Sequence, residues 1–260
     1  MIELYTHPMS PCAQKVRILL VEKGLDWRAH LIDLAQKENL KPEYLKLNPL
    51  GVVPTLVDAG KVVIESSIIC EYLDDAYPQK TFRPEDSYDV SKMRFWMKHV
   101  DNKLHPSCGA IQWPMIMRPA MLERTPEERA ALLEKIPEKP RRERQRRLIE
   151  MGLDAPDVAD AVKTYRKTVL DMDKDLEGRE WLIGESLTLA DICLIPYFQT
   201  LFQFEWTGVY EDCPNVKQWA QKWFDRPSFI KAVRKDFTAE NLEDCRRDGR
   251  AAWPKIEAYL

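Results

Sequence analysis

The sequence lacks the cysteine and histidine patterns that mark disulfide frameworks and metal sites. Its four histidines are not spaced as metal ligands on one helix face. Its six cysteines include no C-x-x-C pair and are scattered over the chain, at Cys12, Cys70, Cys108, Cys193, Cys213 and Cys245. We therefore expect reduced thiols, no disulfide framework and no bound metal.

Long apolar runs and an excess of one charge are also missing. No window approaches the roughly 18 consecutive apolar residues of a membrane span, and no basic segment with an apolar core precedes the first strand-like residues. The 39 basic and 42 acidic side chains give a net charge of −3, which does not favour a nucleic-acid partner. We expect a cytoplasmic protein whose partners are neither membranes nor nucleic acids.

The first 80 residues alternate strand and helix patterns. Ile2 and Leu4 alternate with Glu3 and Tyr5, as in a short strand. Further strands are predicted at 27–32, 52–57 and 61–64, and helices at 10–24, 36–47 and 65–77. The resulting order β-α-β-α-β-β-α is that of a thioredoxin-like domain.

The remaining sequence has only helical patterns. A polar stretch at 78–85, which contains two prolines, fits a linker, and apolar residues then recur at helical spacing in several segments. At the start of one such segment, Asp191 follows Thr188 by three residues, which is close to a capping box. We predict an α/β thioredoxin-like domain over residues 1–80 and an all-α domain over residues 86–260.

One segment of the helical part, 118–157, is charged and interrupted by prolines. Within it, residues 141–147 hold five arginines and one glutamate. This run fits the solvated face of a helix. It also fits a basic rim that attracts an anionic ligand toward a cleft.

Three segments resemble the glutathione transferase superfamily and follow one another in the order of that family. They are SPCAQKVR at 10–17, NPLGVVPTL at 48–56 with ESSIICEYL at 65–73, and SLTLAD at 186–191. The resemblance implies the two-domain glutathione transferase fold, glutathione as co-substrate and a homodimer. The segment 118–157 looks like the insertion of bacterial transferases that cleave β-aryl ethers of lignin fragments. The residues Ser10-Pro11-Cys12-Ala13 are closer to the serine-type transferases than to the Asn-Ser pair of those etherases.

The resemblance implies a glutathione-binding site around the third predicted helix. Ser66 would hold the γ-glutamyl carboxylate at the helix N-terminus, where free N–H groups favour an anion, and Glu65 would hold the ammonium group. Val53 and Pro54 resemble the cis-proline site of the family, in which the main chain of Val53 would pair with the cysteinyl backbone of glutathione. Alternatively, Glu65 and Ser66 only cap the helix.

Three side chains are candidates for activation of the glutathione thiol. Ser10 precedes Pro11 and is therefore placed as the helix N-cap, where its hydroxyl could donate to a thiolate. Cys12 would instead make the protein a thiol reductase, although it lies in line with Val16 and the leucines that follow, as a buried cysteine would. Tyr5 is the third candidate. Ser10 is the predicted catalytic residue.

The electrophile would bind between the two domains, with Met9 on one side. On the other side the resemblance places candidates on the first long helix of the helical part: Trp96, His99, Lys103, His105 and Trp113. Aromatic side chains suit an aromatic substrate, although aromatic residues at helical spacing also build cores.

The sequence therefore predicts a glutathione transferase that attacks a hydrophobic, aromatic electrophile, with roles in detoxification or aromatic compound catabolism, β-etherase activity included. Two alternatives remain open at this point. One is a glutathione-dependent thiol reductase that uses Cys12, and the other is a non-catalytic glutathione-binding or scaffold protein.

Overall fold

The computed structural model describes residues 1–260 and begins with a four-stranded mixed sheet. The strand order is β2-β1-β3-β4, with β1 parallel to β2 and antiparallel to β3. The elements of this part are β1 (Ile2–Thr6), α1 (Pro11–Glu22), β2 (Trp27–Leu31), α2 (Pro42–Leu45), β3 (Thr55–Asp58), β4 (Lys61–Ile64) and α3 (Ser66–Ala76). The predicted thioredoxin-like order is confirmed.

The helix predicted at 36–47 does not form as one element. The structure has a single 3-10 turn at Glu38–Leu40, followed by the four-residue α2. Lys37 adopts a left-handed conformation with φ of 58°, and Pro42 has no amide hydrogen to bond the carbonyl four residues earlier. Both features interrupt the predicted helix, although the spacing of its apolar residues favoured one.

Helix α1 is buried on nearly every side because it lies between the two halves of the molecule. It packs on α3 and also on two helices of the helical part, α10 (Leu189–Gln203) and α12 (Pro227–Ala232). Arg17, near its centre, forms an ion pair of 2.7 Å with Asp236, and Glu22 at its end pairs with Arg226. Contacts with the C-terminal helices therefore fix the position of α1 and of the residues at its N-terminus.

The second part contains only helices, as predicted. They are α4 (Ser87–His99), α5 (His105–Ile116), α6 (Arg118–Leu122), α7 (Pro126–Glu134), α8 (Lys139–Met151), α9 (Pro156–Asp175), α10 (Leu189–Gln203), α11 (Pro214–Phe224), α12 (Pro227–Ala232) and α13 (Ala239–Glu257). None of the helices combines the length and the apolar character needed to cross a membrane.

A π-helical turn, Val100–Leu104, joins α4 to α5. Pro106 lacks the amide hydrogen that would bond the carbonyl of Asn102 in a regular helix, so the wider turn forms where that bond is missing. The extra residue in the turn rotates α5 relative to α4.

The segment 118–157 folds into three helices that pack beside α5. Helix α7 begins with a capping box between Thr125 and Glu128. A small separate apolar cluster holds α6, α7 and α8 together, made of Met121, Leu133, Ile136 and Ile149. The segment is therefore an ordered subdomain, and its position beside α5 brings α8 next to the first domain.

Candidate functional site

Two neighbouring cavities lie where the sheet domain meets α5 and α8. The inner cavity, of about 200 Å³, is lined by Cys12, Val53, Pro54, Glu65, Ser66, Asp101 and others. The outer cavity, of about 520 Å³, is lined by Ser10, Asn39, Pro106, Trp113, Arg141, Arg144, Leu148 and others. The two cavities share Val52, Val53, His105 and Glu138. They are therefore adjoining parts of one cleft.

The inner cavity contains all four predicted glutathione-binding residues. The Val53–Pro54 peptide bond is cis, as predicted. Glu65 has φ of 70°, an uncommon conformation for a residue other than glycine, and such residues cluster at binding sites. Ser66 is the first residue of α3, where the unpaired N–H groups and the helix dipole favour an anion.

A buried lysine contacts the side chain of Ser66. The Nζ atom of Lys15 lies 3.3 Å from the Ser66 hydroxyl oxygen and 2.9 Å from the Asp101 carboxylate, and its side chain is fully buried. Burial opposes the charge of this ammonium group, but the facing Cys12, Cys193 and Asp101 raise the pKa of Lys15. Because Ser66 accepts from Lys15, its own O–H can donate, either to the Cys12 sulfur or to a ligand in the cavity.

Cys12 also faces the inner cavity. Its Sγ atom lies 3.4 Å from Nδ1 of His105 and 3.8 Å from the Tyr197 hydroxyl. Burial favours the neutral thiol, but His105 and Lys15, together with hydrogen bonds from His105 and Ser66, lower the pKa of Cys12 to about 6. The apolar stripe of α1 predicted a buried, inert thiol at this position. The structure instead places a half-buried thiol beside basic groups.

Ser10 caps α1 and lines the outer cavity. Its hydroxyl oxygen accepts a hydrogen bond of 3.4 Å from the amide of Ala13, and the residue has the extended conformation of an N-cap. In this bond the hydroxyl is only an acceptor, so its hydrogen is free to donate to a ligand atom. The capping role predicted for Ser10 is confirmed, and its geometry is compatible with a catalytic role.

The structure places the predicted electrophile-pocket residues in different surroundings. Trp113 lines the outer cavity. Trp96 donates a hydrogen bond of 3.0 Å to Asp175, and Nε2 of His99 lies 2.8 Å from the Thr168 hydroxyl. Both point toward α9 and away from the cleft. The pocket expectation is therefore wrong for Trp96 and His99, because their hydrogen bonds hold both side chains against α9.

Three further candidates lie outside both cavities. Lys103 is exposed to solvent and lines neither cavity. Met9 lines neither cavity either, and its amide donates to Nδ1 of His7. The ring of Tyr5 stacks on His30 with centroids 4.5 Å apart, on the sheet itself. The structure therefore does not bring Met9, Lys103 or Tyr5 into the cleft.

The insertion contributes one face of α8 to the outer cavity. Arg141, Arg144, Gln145 and Leu148, which lie on the same side of a helix, line it. Burial lowers the pKa of both arginine side chains. The other arginines of the run form ion pairs outside the cavity. The solvated-face interpretation thus applies to one side of α8 only.

Sequence reasoning missed Lys15 and Asp101, which hold the start of α3 from two different elements. The signal for Lys15 was available, because a lysine in a helix flanked by Val16 and other buried apolar residues needs an anionic partner. The partner could not be identified, since Asp101 is 86 residues away in sequence and lies on the π-helical turn.

Two family models match the chain. The model for the glutathione S-transferase N-terminal domain matches residues 9–76, and that for the glutathione S-transferase C-terminal domain matches residues 113–227. The first match contains the inner-cavity residues Cys12, Val53 and Ser66. The second covers the part of the chain from Trp113 through the insertion and α10.

Curated proteins match over most of their length. Protein LigF from a Sphingobium species is 27% identical over 94% of this chain and 95% of its own. Glutathione S-transferase 3 from Zea mays is 28% identical over 89% and 93%.

Solved structures agree with these matches. The crystal structure of the β-etherase LigF superimposes with a TM-score of 0.82 at 26% identity, covering 90% of this chain and 99% of LigF. A glutathione transferase family member from Pseudomonas fluorescens, solved with two glutathione molecules bound, has a TM-score of 0.68 at 25% identity, with coverage of 89% and 91%.

Proposed function

The chain belongs to the glutathione S-transferase family, whose co-substrate is glutathione, and we propose that Ser10 ionises the glutathione thiol for attack on an aromatic electrophile. The observation that carries this proposal is the junction of the two cavities at Val53 and His105. A tripeptide bound in the inner cavity has its thiol next to the outer one. Homodimer formation remains part of the proposal.

The inner cavity suits the two ends of the γ-glutamyl group. Ser66 offers a hydroxyl hydrogen and a helix N-terminus to the carboxylate, and the buried Lys15 adds positive charge behind it. The carboxylate of Glu65 is available for the ammonium group. From there the peptide would extend along the main chain of Val53, which lines both cavities.

The outer cavity supports an aromatic electrophile. Trp113, Pro106 and Leu148 supply apolar surface, and Ser10 lines the same cavity. In ether cleavage, the thiolate sulfur would form a bond to carbon while the carbon–oxygen bond breaks and the aryl oxide leaves, taking a proton from solvent. Positioning and a preformed thiolate supply most of the rate in such a displacement. The similarity to LigF supports an aryl ether as the substrate class.

Replacing Ser66 by Ala is expected to weaken glutathione binding by about tenfold to a hundredfold, which corresponds to the loss of a hydrogen bond to a charged group. Titration calorimetry measures this directly. Ser87→Ala makes the same change at the first position of α4, which is exposed, and should leave binding unchanged. Equal affinity of wild type and Ser66→Ala would contradict the assigned site, and no binding in wild type would remove the enzyme proposal.

A second candidate function is favoured by the surroundings of Cys12. Its thiolate could attack the glutathione sulfur of a mixed disulfide between glutathione and a substrate thiol, forming a disulfide between Cys12 and glutathione and releasing the substrate thiolate. The thiolate of a second glutathione would then attack this disulfide, releasing glutathione disulfide and restoring the Cys12 thiolate. This reaction makes the protein a glutathione-dependent thiol reductase, in which His105 and Lys15 stabilise the attacking thiolate.

The pH dependence of alkylation tests whether Cys12 is a reactive thiolate. The rate of modification by iodoacetamide should rise with pH to a plateau above a midpoint of about 6, because the lowered pKa leaves the thiol ionised at neutral pH. An ordinary thiol would continue to gain rate up to about pH 8.5. His105→Ala should move the midpoint upward, and Cys12→Ser should abolish the alkylation that has this midpoint. An unchanged midpoint in His105→Ala would exclude the proposed role of the imidazole.

A further inference from the structure

The arginine run of α8 divides into two sets by its contacts. Arg142 pairs with Glu134 of α7, Arg146 lies 2.7 Å from Glu143, and Arg147 lies 2.7 Å from Asp157. Arg141 and Arg144 form no ion pair or hydrogen bond with any other side chain, although the described chain has 42 acidic residues. They lie on the face of α8 that lines the outer cavity.

No acidic side chain forms a bond with these two arginines: Glu138 acts on both of them, and Asp157 on Arg144, only at a distance. Glu138 is the only acidic residue lining the outer cavity, and it forms no hydrogen bond with either arginine. The charge of Lys37, from the loop before α2, acts on Arg141 from the sheet side. Partly buried guanidinium groups without partners are unfavourable because they lose hydration without a compensating charge. An anionic ligand would supply that charge.

We infer that Arg141 and Arg144 form a carboxylate-binding site, contributed by the insertion helix α8 to the outer cavity. Planar guanidinium groups match a carboxylate through paired N–H donors. This inference rests on the proposed function, because it specifies how the same cleft selects its ligands. The carboxylate has two possible sources, the glycyl end of glutathione or an acidic group on the aromatic electrophile.

The position of the site fits both sources. Val53 lines both cavities, so a peptide that binds Ser66 with its γ-glutamyl group and passes Val53 can place its glycyl end in the outer cavity with Arg141. Arg144 lies close to α5: a Cβ atom added to Gly109 of α5 would be 3.9 Å from the guanidinium group of Arg144. An electrophile packed on Trp113 could place an acidic group there.

The test compares acids with their esters. Titration calorimetry would measure glutathione and its glycine monoethyl ester. Steady-state kinetics would compare 4-(chloromethyl)benzoate with its methyl ester, two benzylic chlorides from which the thiolate displaces chloride. The proteins are wild type, Arg141→Met/Arg144→Met and the control Arg142→Met/Arg146→Met, which removes the same charge from the ion-paired face.

We expect the double variant, but not the control, to lose about tenfold or more for one acid while its ester is unaffected. A loss for glutathione identifies the glycyl carboxylate, and a loss in kcat/KM for the benzoate identifies the electrophile. In wild type, the corresponding acid should be preferred over its ester. This comparison needs no variant and therefore does not depend on how the variants fold.

The inference is overturned if wild type does not distinguish either acid from its ester, or if the double variant matches the control for all four compounds. Ser66→Ala separates this outcome from failure of the proposed function. Suppose that glutathione binding is lost in Ser66→Ala but is equal in both arginine variants, and that neither arginine variant affects turnover of the benzoate. This result rejects the carboxylate site alone and leaves the proposed function standing. Absence of glutathione binding in wild type removes the proposed function and this inference with it.

Discussion

Replacement of Ser10 by Ala is expected to lower kcat for glutathione transfer by about 10²–10³, while the affinity for glutathione changes by less than about twofold. The Ser10 hydroxyl accepts the capping bond from Ala13 and keeps its hydrogen for the thiolate. Loss of one preorganised donor to a reacting anion has an effect of this size. The binding residues Ser66 and Val53 do not depend on this hydroxyl. Steady-state kinetics and calorimetry on the same preparations measure both quantities.

The pH profile provides a second measurement of the same effect. Without the Ser10 donor, the bound thiol should ionise closer to the value of a free thiol, about 8.5. The fall in kcat toward low pH should therefore begin at a higher pH in Ser10→Ala than in wild type. At pH 9 the two proteins should differ less than at pH 6.5. A constant ratio across this range would show that Ser10 acts through structure and not through the thiolate.

Cys12→Ala is the matched control for this prediction. If Ser10 activates glutathione, Cys12→Ala retains most of the transferase activity, although any reduction of glutathione mixed disulfides is lost. In the reverse pattern, turnover is lost in Cys12→Ala and retained in Ser10→Ala. That result would show that the main activity is the chemistry of the Cys12 thiol. Glutathione binding without turnover in all three proteins would favour the scaffold alternative.

The position of Cys12 shows how far a periodic pattern can be interpreted. Cys12, Val16 and Leu19 lie on one stripe of α1, as predicted, and the last two are fully buried. Cys12 is in the first turn, where the helix emerges beyond the end of the sheet. There the stripe meets Asp101 of the π-helical turn and His105, the first residue of α5. The pattern predicts the face of the helix but not what covers its end.

The prediction of the electrophile-pocket residues did not include the π-helical turn, which the apolar pattern does not show. The spacing of Met93, Met97, Val100 and Leu104 suggested one regular helix, and all four are buried as expected. Pro106 breaks the hydrogen-bond ladder just after them and produces the wide turn. Trp96 and His99, before the turn, bond to side chains of α9, whereas Trp113, after it, lines the cleft. The proline was the only local signal of this change.

The arginines of α8 illustrate a limit of a different kind. Helical spacing groups Arg141 with Arg144 and separates them from Arg142, and this grouping could be derived from the sequence. Which of the two faces would be neutralised depended on the placement of Glu134 in α7 and of Asp157 in the first turn of α9. Such contacts between elements follow from tertiary packing alone.

Asp191 is the position where a correct local prediction most underestimates the role of a residue. Its carboxylate accepts from the amide and the hydroxyl of Thr188, as the capping pattern indicated, with distances of 3.0 Å. It also accepts from the amide of Leu182 and from the indole of Trp219, again at 3.0 Å. The side chain is fully buried, and burial raises the pKa of Asp191 against the effect of these hydrogen bonds. One carboxylate therefore joins three segments of the helical core.

Asp191→Ala is expected to lower the free energy of unfolding by about 3–5 kcal/mol, because it leaves several buried donors without an acceptor. Urea denaturation measures this loss. Asp86→Ala is the matched control, since Asp86 caps α4 at the surface by accepting from the amides of Tyr88 and Asp89. That change should cost only about 1 kcal/mol. Because both substitutions remove a capping carboxylate, the difference between them isolates the contribution of the bonds to Leu182 and Trp219. Equal losses in the two variants would show that Asp191 acts as a helix cap and no more.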